Sequence, residues 1–308
     1  MQSGKGFAKI ILFGEHFVVY GLPGIASGIN KYVKAEIKKI KQDDIIFCDK
    51  NFGEKLSQKK HPKHIVSRLF KAMFGDLNLS GLQIAISSNF PPKAGMGYSA
   101  ALNTAIARAI NGFLKLNRDD KKINDIAFQG ETIIHGTASG IDNTCSTRGS
   151  LIYFQKDLKK KKNKITRLET SKDLLFVQVD SKIKHDTKKS IETVRKNKEK
   201  NPDLFDSLFK QEKVILKQAK QAIEKGDLKK IGLLMNQNHD LLRQIGISCK
   251  TLEKLIKIAL DNGTLGAKLT GAGMGGSIIA LCKDAKQQNI ITNIYKKIGF
   301  DCVKIKIK

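Results

Sequence analysis

The stretch FPPKAGMGYSAAL, residues 90–102, decides the fold because it joins a strand pattern to a helix pattern. Upstream, apolar residues alternate along residues 82–86 (LQIAI), which predicts a strand. Downstream, the apolar residues recur at steps of three and four, which predicts an amphipathic helix. The residues of this apolar series are Leu102, Ala105, Ile106, Ala109, Ile110, Phe113 and Leu114.

Gly95 and Gly97 lie in the connection, and Ser99 opens the predicted helix. Because glycine has no Cβ, backbone N–H groups can converge there. The first turn of a helix also offers unpaired N–H groups with a partial positive charge. Such a loop suits phosphate binding. The same residues also fit a tight turn with a capped helix, so the loop by itself leaves both interpretations open.

Composition predicts a folded, soluble, cytoplasmic protein. The chain has 308 residues, 41% of them hydrophobic, and only 5 prolines, enough to bury a substantial core. Its five cysteines are odd in number and form no CxxC pair, which argues against a disulfide framework or a zinc site. The N-terminal apolar run, residues 10–13, is too short for a signal peptide or a membrane-spanning helix.

The net charge of +27 raises nucleic acid as a possible partner. Against this, the chain has no Trp and only 6% aromatic residues, so it offers few platforms for stacking bases. It also contains neither the spacing of a C₂H₂ zinc finger nor a basic zipper. General attraction for anionic metabolites explains the charge more simply, and nucleic-acid binding is therefore unlikely as the main function.

A second polar segment, HGTASGIDNTCSTRGS at residues 135–150, follows a predicted helix that Asp119 or Asp120 would cap. Glu131 lies on that helix among residues suited to burial. The segment is rich in Gly, Ser, Thr and Asn around one carboxylate, Asp142. A polar loop in a core-forming region is costly unless its polar groups are used. Asp142 is therefore the first candidate for a catalytic carboxylate.

Two common nucleotide-binding folds are excluded. Gly271, Gly273 and Gly276 satisfy GxGxxG, but an apolar strand pattern at residues 277–281 follows them, whereas a Rossmann fingerprint opens a helix. No GxxxxGK[ST] occurs, which excludes a P-loop NTPase.

The N-terminal strand pattern, residues 9–12, leads to Glu15 and His16, and residues 18–20 are predicted to be extended. The Glu-His pair could bind a polar ligand or be simply solvated.

Composition shifts near residue 180 from mixed α/β to helix-rich, which predicts domains at 1–180 and 181–308. The helices expected in the second part cover residues 184–200, 203–225, 227–244 and 248–262.

Three separated stretches together resemble the motifs of the GHMP small-molecule kinases: residues 8–21, 91–102 and 266–277. Residues 13–21 (FGEHFVVYG) and 131–150 resemble the branch of that family that phosphorylates mevalonate, and residues 235–248 resemble the family's C-terminal segment. The similarity covers nearly the whole chain, and five motifs in the right order are far more specific than one glycine loop.

The resemblance implies an α/β (α+β) fold with an N-terminal ribosomal-S5-like domain and a C-terminal ferredoxin-like domain. It implies transfer of the γ-phosphoryl group of ATP to the C5 hydroxyl of mevalonate, with Mg²⁺, and it implies a homodimer.

The resemblance also implies the catalytic residues. Asp142 matches the carboxylate that accepts the substrate hydroxyl proton, and Lys9 matches the lysine beside it. An ammonium there would keep Asp142 ionised and stabilise charge on the transferred group. Ser99 and Glu131 match the Mg²⁺ ligands, and oxygen ligands suit this ion. Arg195 matches a basic residue near the phosphates.

Mevalonate binding is assigned in the same way to Glu15, His16, Thr270 and Asp142. ATP binding is assigned to the residues of the glycine loop: Pro92, Lys93, Ala94, Gly95, Met96, Gly97, Tyr98 and Ser99.

Several positions depart from the family pattern. Lys93 and Tyr98 stand where Gly and Ser are usual, Ala8 and Ser150 replace glycines, and Met274 lies inside the C-terminal glycine motif. Two alternatives to a kinase acting on mevalonate therefore remain. One is another GHMP kinase, acting on phosphomevalonate, homoserine or a sugar, and the other is a basic nucleic-acid-binding protein on a degenerate kinase scaffold.

Overall fold

The computed structural model describes residues 2–75, 77–92, 95–136, 138–158, 163–184 and 186–308. In chain order the elements are β1 (Gln2–Phe13), a 3₁₀ helix (Phe17–Tyr20), β2 (Pro23–Lys39), β3 (Ile45–Asp49), β4 (Glu54–Ser57), α1 (Ile65–Phe74), β5 (Leu82–Ser88), α2 (Tyr98–Phe113), α3 (Asp120–His135), α4 (Ile141–Arg148), β6 (Leu151–Gln155), β7 (Lys164–Arg167), β8 (Leu174–Asp180), α5 (Thr187–Lys200), α6 (Pro202–Glu224), α7 (Leu228–Gln244), α8 (Lys250–Asp261), β9 (Gly266–Thr270), β10 (Ser277–Cys282), α9 (Ala285–Lys297) and β11 (Cys302–Ile307).

The chain forms two compact units, each built from two segments. The first unit contains Met1–Lys9 and Gly28–Gly149, and the second contains Ile10–Ser27 and Ser150–Lys308. The predicted domain limits assume one division near residue 180 and place β6–β8 with the N-terminal half. Those limits stay a prediction, since a compact unit of this kind need not coincide with a family domain.

In the first unit, the second half of β2 pairs antiparallel with β5, β5 pairs parallel with β3, and β3 pairs antiparallel with β4. Alternate residues of these strands are buried: Val33, Ala35 and Ile37 on β2, and Leu82, Ile84 and Ile86 on β5. This period-2 pattern is that of a sheet with one face in the core. Helices α2, α3 and α4 pack on one another, and α1 packs on α3.

In the second unit, four antiparallel strands follow the order β11-β8-β10-β9. Every residue of β9 and β10 is buried, because α7 and α8 pack against β9 and α8 and α9 pack against β10. The first residues of β2 pair with β6, which pairs with β7. Among the described residues, no helix is long and apolar enough to cross a membrane.

Two local predictions are wrong. Residues 18–20 are not extended but belong to the 3₁₀ helix, in which the Val18 N–H donates to the Gly14 carbonyl and Gly21 ends the turn with a φ of 88°. The polar segment 135–150 is not one loop, because α4 forms within it. Gly140, with a φ of 91°, precedes α4, and the Thr144 hydroxyl donates to the Gly140 carbonyl at 2.6 Å.

The short strand β4 pairs with β3 from Ile46–Ser57 to Asp49–Glu54. Its first two residues are exposed and its last two are half-buried, so it lacks the apolar alternation by which a strand is recognised in a sequence.

Candidate active site

The glycine loop is joined to β1 in the first unit. Gly95 and Gly97 adopt positive φ values of 70° and 72°, a region that favours glycine. The buried Met96 accepts a hydrogen bond on its carbonyl from the Lys9 N–H at 2.9 Å. A Cβ on Gly97 would lie only 2.9 Å from Lys9 Cγ. The loop therefore lies directly against Lys9. Pro92 is half-buried, and the predicted loop residues Lys93 and Ala94 lie outside the described residues.

Lys9 and Asp142 form an ion pair with 3.2 Å between Nζ and Oδ1. The Lys9 side chain is only 7% exposed, whereas that of Asp142 is 35% exposed and remains accessible. Asp142 lies in the first turn of α4, where the helix dipole favours a negative charge. Asn143, next in the helix, is buried and donates to Asn124 Oδ1 at 2.8 Å, which holds this turn against α3.

Glu131 is a buried carboxyl group next to this pair. Asn103 Nδ2 donates to its Oε1 at 2.9 Å, and Ser99 Oγ donates to its Oε2 at 3.2 Å. Burial and, after it, the nearby Asp142 charge raise the pKa of Glu131 to about 8. Such a group is poised to accept a cation, because a positive charge would offset both carboxylates.

Ser99 and Glu131 are the described residues best placed to hold a metal ion. The described part of the chain contains no group of three or more His, Cys, Asp and Glu that could do so. The two oxygens fit Mg²⁺, which typically takes one or two protein ligands and completes its octahedron with substrate phosphates and water. His135 lies next to Ser99 and Glu131, with its Nε2 at 3.1 Å from Ser99 Oγ.

The second unit holds the residues predicted to bind mevalonate, apart from Asp142. Thr270 Oγ1 donates to the Ile11 carbonyl at 2.9 Å, which ties β9 to β1. His16 Nε2 donates to the Ala272 carbonyl at 2.8 Å, and burial lowers the pKa of the ring, so the imidazole is neutral. Glu15 is buried and forms an ion pair with Lys268.

Family models match two parts of the chain. The model described as "GHMP kinases N terminal domain" matches residues 61–150, and "GHMP kinases C terminal" matches residues 219–299. The chain is 32% identical to the mevalonate kinase of Thermococcus gammatolerans and 32% identical to that of Pyrococcus abyssi. Each comparison covers 93% of this chain and 90% of the relative.

The chain belongs to the GHMP kinase family. A solved structure, the L. major mevalonate kinase in complex with R-mevalonate, superposes with a TM-score of 0.88 at 32% identity, covering 100% of this chain and 96% of that one. The predicted GHMP α+β fold is thus confirmed. As a GHMP kinase, the protein is an ATP-dependent phosphotransferase that acts on an alcohol.

This GHMP kinase accommodates Tyr98, one departure from the family pattern, by anchoring its side chain. Tyr98 Oη donates to Asp49 Oδ2 at 2.9 Å and accepts from Asn51 Nδ2 at 3.0 Å. The rings of Phe52 and Phe90 each meet the Tyr98 ring edge-to-face at 5.9 Å. Burial and the Asp49 charge raise the pKa of Tyr98, so its hydroxyl stays neutral. The large side chain is therefore fixed at the first residue of α2.

Arg195, the remaining predicted catalytic residue of this GHMP kinase, is exposed on α5. Its Nη1 lies 3.7 Å from Oε1 of Glu199, one helical turn away. Its assignment to the phosphates stays a prediction.

Sequence reasoning missed the buried residues Lys268 and Glu212. Lys268 lies inside the glycine motif 266–277, in the strand pattern GAKLT, where a lysine surrounded by apolar residues is the available signal. Glu212 interrupts the apolar face of α6, but a single Glu on a long basic helix gives no comparable signal.

Proposed function

We propose that this GHMP kinase is a mevalonate kinase, which transfers the γ-phosphoryl group of ATP to the C5 hydroxyl of mevalonate. The observation that carries the proposal is similarity over nearly the full chain to proteins named mevalonate kinases, one of them solved with R-mevalonate. The Lys9–Asp142 pair beside the glycine loop supports the phosphoryl-transfer chemistry.

Asp142 acts on the acceptor alcohol. Its partly exposed carboxylate orients the hydroxyl and accepts its proton as the oxygen attacks phosphorus. The Lys9 ammonium lies 3.2 Å from this carboxylate, where negative charge must be neutralised during transfer. In a loose transition state, orienting the hydroxyl matters more than removing its proton early.

The glycine loop and the N-terminus of α2 hold the phosphates through backbone N–H groups. Ser99 and Glu131 would hold Mg²⁺. When bound, this ion neutralises charge on the phosphates. Glu131 binds a cation only as the carboxylate, so its raised pKa means that it releases a proton on binding near neutral pH.

Glu15, His16 and Thr270 of the second unit are proposed to bind mevalonate. The neutral imidazole of His16 donates from Nε2 to Ala272, which leaves Nδ1 as its hydrogen-bond acceptor. The homodimer implied by the family resemblance and the cytoplasmic location predicted from composition are part of the same proposal, and light scattering after size exclusion tests the dimer.

A substrate panel tests the function. ADP release is measured with mevalonate, phosphomevalonate, homoserine and galactose, and we expect turnover with mevalonate alone. Turnover with a different member of the panel would identify another GHMP kinase. No turnover at all, with steeply salt-dependent binding to nucleic acid, would instead favour the binding protein.

The Asp142→Asn variant tests the catalytic assignment. We expect kcat to fall by about 10²–10⁴-fold, the usual contribution of a general base, with little change in ATP affinity. Asp125→Asn is the matched control, because its carboxylate pairs with Lys121 on the exposed side of α3. A loss below about tenfold would reject the role of Asp142.

A further inference from the structure

A polar cluster is buried in the second unit, away from solvent. Lys268 on β9 and Glu212 on α6 are both 0% exposed, Glu15, two residues after the end of β1, is 1% exposed, and Asn238 on α7 is 0% exposed. Two carboxyl groups therefore lie near one ammonium group in the buried interior. A buried net charge is costly, so this composition favours one ionised and one neutral carboxyl group.

The contacts indicate which carboxyl group is ionised. Lys268 Nζ donates to Glu15 Oε1 in a close ion pair and to the Leu269 carbonyl at 2.8 Å. Glu212 Oε2 accepts instead from the neutral amide of Asn238 at 2.7 Å. Its Oε1 has no hydrogen-bond partner among the described residues. Leaving that oxygen unpaired is much less costly for a neutral acid than for an anion. Burial acts in the same direction, raising the pKa of Glu212 to about 8.

The cluster holds a turn of three consecutive residues, Gly14–His16. The Gly14 N–H lies next to the Glu212 carboxyl group, Glu15 pairs with Lys268, and the His16 ring donates to the Ala272 carbonyl. Gly14 and His16 have positive φ values of 92° and 60°. A non-glycine residue in this region persists only when its surroundings hold it, and here buried polar groups do so.

We propose that Lys268 and Glu212 are positioning residues for the turn Gly14–His16, with Glu212 acting as a neutral acid that leaves Lys268 committed to Glu15. The proposal rests on the proposed function, in which this turn binds mevalonate. Ionised Glu212 would compete with Glu15 for the ammonium group and so loosen the turn.

The groups to consider, when an alkaline transition is assigned to Glu212, are Glu15, Lys268, Asn238 and His239. Glu15 and Lys268 face Glu212 from outside α6, and Asn238 faces it from α7. His239, also on α7, faces Lys268, but burial lowers its pKa and it is already neutral in the alkaline range. Burial also lowers the pKa of Lys268. A variant is therefore needed to assign an alkaline transition to Glu212.

Glu212→Gln provides that variant, because its carboxamide mimics the neutral acid. In the wild type we expect the KM for mevalonate to rise above about pH 8, the pKa of Glu212, with little change in the KM for ATP. In Glu212→Gln the KM should stay low over the same range. Glu224→Gln is the matched control, an exposed carboxylate on the same helix that pairs with Lys220, and it should keep the wild-type rise. The same alkaline rise in Glu212→Gln would overturn the proposal.

Infrared spectroscopy gives a readout that does not need turnover. The wild type at pH 7 should show the carbonyl band of a protonated carboxyl group that Glu212→Gln lacks, and absence of that band would overturn the neutral-acid assignment. If the band is present but mevalonate is not phosphorylated, the proposed function and the positioning role both fail, while the charge assignment stands.

Lys268→Met tests the ammonium group itself. We expect the KM for mevalonate to rise by about tenfold or more, equivalent to about 1.4 kcal/mol, with the KM for ATP nearly unchanged. Lys257→Met, which removes an exposed lysine of α8 paired with Asp261, is the control. Equal effects on both KM values would overturn the positioning role, and the infrared comparison decides the charge state if Lys268→Met does not fold.

Discussion

Glu131 shows how a residue suited to function can weaken the fold that carries it. Its carboxyl group is buried beside Asp142, so ionisation is unfavourable until a cation arrives. Asn103 and Ser99 satisfy its oxygens, and Gly130 allows the close approach, because a Cβ there would lie 2.6 Å from Asn103 Cγ. The site is thus built around a group that opposes folding when charged.

The Glu131→Gln variant should be more stable and less active than the wild type. The pKa of Glu131 is about 8 in the folded state, above the ordinary value of 4.5 for a Glu side chain. The folded state therefore binds more protons between these values, and the free energy of unfolding decreases as pH rises from about 4.5 to about 8. Without this carboxyl group, Tm should exceed that of the wild type by at least a few degrees at pH 8.5, since about 1 kcal/mol shifts Tm by ~2–4 °C.

Calorimetry across this range, without nucleotide or Mg²⁺, checks the prediction. The difference in Tm should shrink toward pH 4.5, while kinase activity stays low at every pH. A Tm difference that is independent of pH would show that Glu131 is ionised in both states.

At the scale of elements, the glycine loop and β1 depend on each other through Gly97. This residue combines a φ of 72° with close contact to Lys9. The Lys9 N–H donates a hydrogen bond to the loop, and the Lys9 ammonium group forms an ion pair with Asp142. A change in the loop backbone is therefore transmitted to the ion pair.

Gly97→Ala should lower kcat by more than its loss in free energy of unfolding explains. The left-handed conformation costs a non-glycine residue about 1–2 kcal/mol, and the added Cβ also displaces the Lys9 side chain. Gly53→Ala is a matched control, because Gly53 has a similar φ of 67° and no atom within 4 Å of its ideal Cβ. Urea unfolding should give similar losses for the two variants, whereas kcat should fall by at least about tenfold only in Gly97→Ala, a barrier change of ~1.4 kcal/mol. Equal kcat values would exclude the transmission to Lys9.

Elements with strong apolar periodicity were predicted from the sequence, and elements held by polar contacts were not. Helices α6, α7 and α8 were predicted nearly to their ends, because their burial depends on spacing within each helix. Helix α4 was missed because its buried face is largely Asn, Thr, Cys and Ser. Its stability depends on partners distant in sequence, such as Arg108, whose Nη2 donates to the Thr147 carbonyl at 2.6 Å.

The same distinction applies to the site. The family resemblance pointed to Lys9, Asp142, Ser99 and Glu131, and the structure brings them together as two contacting pairs. Their catalytic and metal-binding roles stay predictions. Lys268 was missed because its partner, Glu15, lies 253 residues away in the sequence. No local pattern records that pairing.

For the whole molecule, the net charge of +27 favours encounter with anions such as ATP and mevalonate. We expect kcat/KM for both substrates to fall several-fold between ~0.01 and ~0.15 M salt, because the Debye length shortens from ~30 to ~8 Å. Saturating kcat should change little. Steady-state kinetics over this range, with Tm measured at each salt concentration, checks the effect. Values of kcat/KM that do not vary with salt would show that the surface charge has no influence on substrate capture.

The two compact units have a consequence for protein engineering. The polypeptide passes from the first unit to the second at the peptide bond joining Lys9 and Ile10, and it passes again at Ser27–Gly28 and Gly149–Ser150. Dividing the coding sequence at one position therefore never separates one unit from the other. Isolating either half requires splicing two stretches of chain through a designed linker, and split-protein reporters based on this scaffold would face the same requirement.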